Sequence, residues 1–182
     1  AARRSSFTDA EIEAIKKACG KVPHAEEVYI LIYTGFRPSE YLALTADSYN
    51  STLQTLTGGA KTEAGKERIV TLSPKIAPLV AALAASGGSL IKDPSGKAWT
   101  LKGWTEDVFY PVLEAAGISN PVENKRHKYT PHTCRHTFAT LMKRVDGADK
   151  DKQELIGHAS AEMLRYYQDV EIADLRRITD AI

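Results

Sequence analysis

Cysteine is scarce in this 182-residue chain: Cys19 and Cys134 stand far apart, each inside a helical pattern. That excludes a disulfide framework and any zinc spacing built on paired cysteines, and it suits a reducing compartment, the cytoplasm. Long apolar runs are lacking too. None approaches the ~20 residues needed to span a bilayer, so no membrane partner is expected. The opening Ala1-Ala-Arg-Arg-Ser-Ser6 has neither an initiator Met nor the apolar stretch of a signal peptide. It reads as a linker end over residues 1–6, ahead of one domain over 7–182 cut from a longer protein. Repeats and low-complexity segments are absent. The formal net charge is only +1, which argues neither for nor against a polyanionic partner. One local absence says more: no acidic residue falls between Asn124 and Arg144, where Lys125, Arg126, Lys128, Arg135, Lys143 and Arg144 all lie. A basic stripe on a balanced protein is an electrostatic footprint for nucleic acid, although a solvated charged face has the same composition.

What is present reads as mainly α (α+β), with a small antiparallel sheet. Thr8-Asp-Ala-Glu11 is a capping box opening a helix to about Ala18. A second helix, His24 to Thr34, is apolar nearly all round, and Gly35 ends it. Pro38 begins the next, Ser39 to Leu44. Strands follow over Leu53–Thr57 and Arg68–Leu72, joined by the turn-rich Gly58-Gly-Ala-Lys61-Thr-Glu-Ala-Gly65. That connection imitates a P-loop, but the motif needs Gly at positions 55 and 60, which are Thr55 and Ala60. Ser73-Pro74 starts a helix to about Ala85. Leu90-Ile91 suits a short strand, and Trp99 to Ala116 a longer helix with Trp104, Val108, Phe109 and Leu113 as core. A polar, basic loop runs from Gly117 to Tyr129. Helices then cover Pro131 to about Val145, Asp149–Ile156 and Ala161–Tyr167, and a last one starts at Ile172.

The chemistry-bearing residues concentrate after Thr130. Thr130-Pro131 is a helix start, which puts His132 and Arg135 on one face of the first turn. An imidazole and a guanidinium near a positive helix end suit an anionic oxygen ligand. The same pair would also serve a plain solvated helix. Downstream stand Gly157-His158 and Arg165-Tyr166-Tyr167, and upstream Gly35-Phe36-Arg37-Pro38 places a second arginine in a tight turn. Together they supply a proton carrier, fixed cations and a phenol, the set needed to transfer a phosphoryl group to tyrosine.

In this combination the chain resembles the tyrosine recombinase (phage integrase) family in its catalytic domain, from about Phe7 onward. The family pattern reads here as Arg37, Lys61, His132-Thr-Cys-Arg135, His158 and Tyr167, with Tyr nine residues after the last His. The resemblance implies a recombinase or integrase that cleaves and rejoins double-stranded DNA through a covalent 3′-phosphotyrosine. Arg37 and Arg135 would clamp the phosphate. Tyr167 would be the nucleophile and His132 its general base. Lys61 would protonate the 5′ leaving oxygen, with Lys66 the nearby competitor. His158 would hold a non-bridging oxygen. Glu40, one turn after Arg37, would brace an Arg or the hairpin Lys. Of the two phenols, the nine-residue spacing selects Tyr167 over Tyr166. No cofactor and no metal is required, because Arg and Lys supply the charge. A metal pair at His132 and His136 lacks the Glu of His-Glu-x-x-His and a third ligand. His24, His127 and His136 read as structural.

Two other readings remain at this level: a type IB topoisomerase-like enzyme, and a DNA-binding module of the same fold without catalysis. The resemblance further implies a tetramer on paired DNA sites, in a bacterial or phage setting, with the isolated domain monomeric. In the tail, Ile172, Leu175, Ile178 and Ile182 form an apolar stripe. Such family members often dock this helix into the next protomer, so its removal is expected to cost assembly more than cleavage. Docking onto its own domain is the alternative.

Overall fold

The computed structural model describes residues 5–58, 68–157 and 172–182. The architecture is the mainly α arrangement expected, with a three-stranded antiparallel sheet. Its axis is α2 (Ala25–Thr34), where Val28, Ile30, Leu31 and Ile32 lose all contact with solvent. Against it pack α1 (Asp9–Ala18) and α7 (Pro131–Lys143).

Local chemistry sets the boundaries. Thr8 Oγ1 accepts from the Glu11 amide at 3.1 Å, and Glu11 Oε1 from the Thr8 amide at 2.9 Å, closing the capping box of α1. Gly35 ends α2 with φ +66°, and a Cβ there would lie 2.1 Å from Phe138 Cδ2 on α7. Glycine is required at this position twice over, by conformation and by the closeness of the helices. Arg37 then caps α3 (Pro38–Leu42). The start of α7 is pinned from outside. The Asn120 side chain bonds both the amide and the carbonyl of Tyr129, and the Tyr129 hydroxyl donates to Glu11 Oε1 at 2.7 Å.

The sheet pairs β1 (Tyr49–Asn50) with β2 (Thr55–Gly58), and β2 with β3 (Arg68–Thr71), in a register that sets Gly58 opposite Arg68. The connection carrying Lys61 and Lys66 lies outside the described residues. On β3 rest α8 (Asp149–Ile156) and α9 (Ile172–Ala181).

Several expectations are corrected. Leu53 is no strand residue: its amide is taken by Asn50 Oδ1 at 2.9 Å in a turn, and Gln54 follows at φ +53°. Leu90 and Ile91 are buried but form no strand, because only isolated bridges flank them, Thr45 with Ser89 and Lys92 with Ala98. Ser73-Pro74 opens a turn, and α4 begins later (Ala77–Ala84). The long helix starts at Leu101 rather than Trp99, since Thr100 caps it by accepting from the Gly103 amide. It runs as α5 (Leu101–Trp104), a π turn (Thr105–Phe109) and α6 (Tyr110–Ala115). Pro111, which lacks an N–H and crowds the preceding turn, is accommodated by that widening. The loop before Tyr129 holds a hairpin of β4 (Val122–Glu123) and β5 (Arg126–His127).

The tail docks onto its own chain. Leu175, Ile178 and Ile182 are buried, and Thr179 Oγ1 meets Thr71 Oγ1 at 2.9 Å. Lys75 Nζ donates to the Ile182 carbonyl, and Arg176 to the carbonyls of Leu53 and Gln54. Within this chain the apolar stripe is thus covered in cis. Among the described residues no helix is long and apolar enough to cross a membrane.

Candidate active site

Two of the expected cations come together on the turn after α2. Arg37 leaves it exposed, with 44% of its side chain open to solvent, and Nη1 lies 3.2 Å from Glu40 Oε1. Arg135 reaches the same turn from α7. It is buried, and Nη1 donates to the Gly35 carbonyl at 2.8 Å. Its Nη2 is buried and meets no acceptor among the described residues. Burial first, and the charge of Arg37 second, pull the Arg135 guanidinium down to about 10, with Glu40 opposing. Unlike charges would attract here; the Arg37 and Arg135 charges work against each other and leave the site electropositive.

His132 sits on α7 one turn before Arg135, half-buried, its ring edge-on to that of His136 at 4.8 Å between centroids. Among the described residues no third His, Cys, Asp or Glu joins that pair into a metal-holding group. His24 bonds Glu27, and the His127 ring packs 4.1 Å from Tyr110. Lys61, His158, Tyr166 and Tyr167 lie outside the described residues, although α8 delivers the chain to them at Gly157, in the left-handed region with φ +73°.

The basic stripe divides. Lys125, Arg126 and Lys128 are exposed on and beside the β4–β5 hairpin, at the start of α7. Lys143 and Arg144 stand at its far end, about 20 Å away along a helix of this length. Arg144 is paired with Asp9 at 2.8 Å. Arg135 belongs to neither patch, being buried between the helices.

One cation was not singled out by the motifs. Arg68, on β3, is 7% exposed and lies over the Phe36 ring, its Cζ 4.4 Å from the centroid. The signal for it was period-2 alternation. Arg68 is in phase with the buried Val70 and Leu72, so it points inward.

Comparison with known proteins agrees with this geometry. The pattern of the Phage integrase family matches residues 6–173. Tyrosine recombinase XerD of Lacticaseibacillus casei is 34% identical over 147 residues, covering 77% of this chain and 48% of the relative. XerD of Mycobacterium leprae is 30% identical over 164 residues, covering 82% and 48%. The chain therefore spans about half the length of the curated relatives it matches. Among solved structures, XerA recombinase superposes with a TM-score of 0.73 at 20% identity, over 98% of this chain and 63% of that one. The Tn1549 transposon integrase, solved in complex with transposon right end DNA, gives 0.71 at 19%, over 97% and 65%. From a match over nearly its whole length and from the arginine-bearing turn braced by α7, the chain belongs to the phage integrase family.

Proposed function

We propose that this chain is the catalytic domain of a site-specific DNA recombinase, over residues 7–182, which cleaves and rejoins duplex DNA through a 3′-phosphotyrosine. One observation carries the reading: two guanidiniums from different elements meet at one turn, and among the described residues the buried one keeps a donor without an acceptor. A buried donor of that kind is costly unless a ligand completes it, and a phosphodiester oxygen is the natural complement. That relatives are named recombinases, and that one neighbour is solved on DNA, supports the same substrate.

In the reaction the Tyr167 phenol oxygen attacks phosphorus, passing its proton to His132, while the 5′ oxygen departs with a proton from Lys61. Arg37, Arg135 and His158 hold the non-bridging oxygens, whose charge grows in the transition state. Glu40 fixes Arg37. Rejoining runs the same steps backwards, so the ester keeps the bond energy and no nucleotide cofactor is consumed. Lys125, Arg126 and Lys128 contact DNA backbone at the start of α7, with Lys143 and Arg144 at its far end. The working assembly is a tetramer on paired sites in a bacterial or phage-infected cytoplasm, and the isolated domain is a monomer.

Incubation with a duplex nicked near the cleavage position tests this, because loss of a short 5′ fragment traps the adduct. A covalent protein–DNA species is expected from the wild type and from Tyr166→Phe, and none from Tyr167→Phe. An adduct that persists in Tyr167→Phe and vanishes in Tyr166→Phe overturns the nucleophile; no adduct from the wild type overturns the activity.

A further inference from the structure

Arg68 is a buried charge that the packing does not explain. Its Nε, Nη1 and Nη2 are all buried, and none has a hydrogen-bond acceptor among the described residues. Its aliphatic stem and planar head are well used. The head stacks on Phe36, the residue before Arg37, and the stem fills the space beside Gly157, where a Cβ would lie 2.6 Å from Arg68 Cδ. One side chain thus joins the hairpin that leads to Lys61, the turn that presents Arg37, and the end of α8 next to His158. A long apolar side chain could make those contacts without the cost of burying a guanidinium.

The charge also sits among like charges. Burial is the main influence on it, then Arg135; Arg37 adds to the repulsion, and Glu40 and Glu154 offset only part, leaving Arg68 at about 9. Glu40 already holds Arg37. Among the described residues three guanidiniums therefore share one region with two carboxylates, and the buried two keep donors unused.

We propose that Arg68 is a positioning residue of the phosphate site, a third guanidinium set beside Arg37 and Arg135 whose charge is balanced when a phosphodiester is bound. It rests on the reading of that site as a phosphodiester clamp. Arg68 acts through its neighbours: it holds the Phe36–Arg37 turn by stacking and adds to the positive potential that the phosphate meets.

The test uses Arg68→Met, which keeps the stem and removes the charge, and Arg68→Lys, which keeps the charge. Melting temperatures are measured without added anion and with sodium sulfate against sodium chloride of equal ionic strength. Cleavage of the nicked duplex is followed in single turnover beside the Kd for the same DNA. Arg68→Met is expected to melt no lower than the wild type without anion and to lose the sulfate-dependent rise. Its cleavage should slow about 10-fold or more while Kd changes less than about 3-fold, with Arg68→Lys recovering part of the rate. A lower melting point for Arg68→Met with an intact sulfate response, or cleavage at the wild-type rate, overturns the proposal and leaves Arg68 a packing residue. If the wild type forms no adduct at all, the recombinase reading fails, and the sulfate response alone decides whether Arg68 serves an anion site.

Discussion

Arg135 donates through Nη1 to the Gly35 carbonyl at 2.8 Å, and that bond ties the two arginines of the proposed site together. Gly35 is followed by Phe36 and Arg37, so the turn carrying the exposed guanidinium is held by the buried one. In the proposed site Arg135 would then have two tasks: Nη1 braces the turn, and Nη2, which meets no acceptor among the described residues, would take the phosphate. A planar fork can do both, whereas an ammonium at the end of a flexible stem cannot.

Arg135→Lys should therefore be nearly as damaging as Arg135→Ala, each slowing single-turnover cleavage by at least about 100-fold. Arg37→Lys stands at an exposed position where an ammonium can still pair with Glu40, so it should keep more of the rate than Arg135→Lys. Equal rates for the two lysine variants would show that the contact with Gly35 does not matter to the reaction.

Gly35→Ala should be harmful from the fold upward. A Cβ at φ +66° carries a left-handed penalty of about 1 kcal/mol, before any overlap with Phe138. With Phe138 Cδ2 only 2.1 Å from the added atom, the total loss should be about 2 kcal/mol or more. Urea denaturation measures it, and Phe138→Leu in the same molecule should return part of the stability. An unchanged midpoint for Gly35→Ala would contradict the turn as described.

How far the chain could be read in advance depends on whether a feature is local. The caps at Thr8 and Thr130, the stop at Gly35 and the inward face of α2 all follow from neighbours within a few residues, and all are where the sequence puts them. Leu53 and Leu90-Ile91 are apolar for reasons of tertiary placement, so composition alone mistook a turn and a bridged loop for strands. The π turn answers to Pro111 within the helix, a local signal that a simple helical period passes over. At the site, the spacing of Arg37 and Arg135 along the chain says nothing of their sharing a carbonyl, because that contact crosses from α2 to α7. Arg68 was legible only through strand alternation, and even then its lack of an acceptor among the described residues is a property of the packing.

The tail gives a prediction opposite in emphasis to the one the family resemblance suggests. Since Leu175 and Ile178 are buried against the same chain, deleting residues 172–182 should lower the melting temperature and reduce cleavage on single and paired DNA sites alike. Ile178→Ala alone should cost about 2–5 kcal/mol, the usual range for emptying a buried aliphatic site. A truncated protein that melts like the wild type but fails only on paired sites would mean that α9 works in a neighbouring protomer.

Lys61 allows a test sharper than a loss of rate. The chain leaves β2 at Gly58 and returns at Arg68, so Lys61 belongs to the connection of a hairpin whose returning strand packs against the Arg37 turn through Arg68. If Lys61 gives its proton to the departing 5′ oxygen, the need for it depends on how poor that leaving group is. Replacing the bridging 5′ oxygen of the DNA with sulfur makes a leaving group stable without a proton. Cleavage of the sulfur substrate should then be nearly the same for Lys61→Ala and the wild type, while the oxygen substrate slows by about 100-fold or more, the contribution usual for a general acid. Lys66→Ala shares the same connection and should slow neither substrate by much. If Lys61→Ala slows both substrates equally, the lysine binds DNA instead of donating a proton. If Lys66→Ala shows the sulfur rescue, the acid is Lys66, and the match of Lys61 to the family pattern was set by the wrong residue of the hairpin.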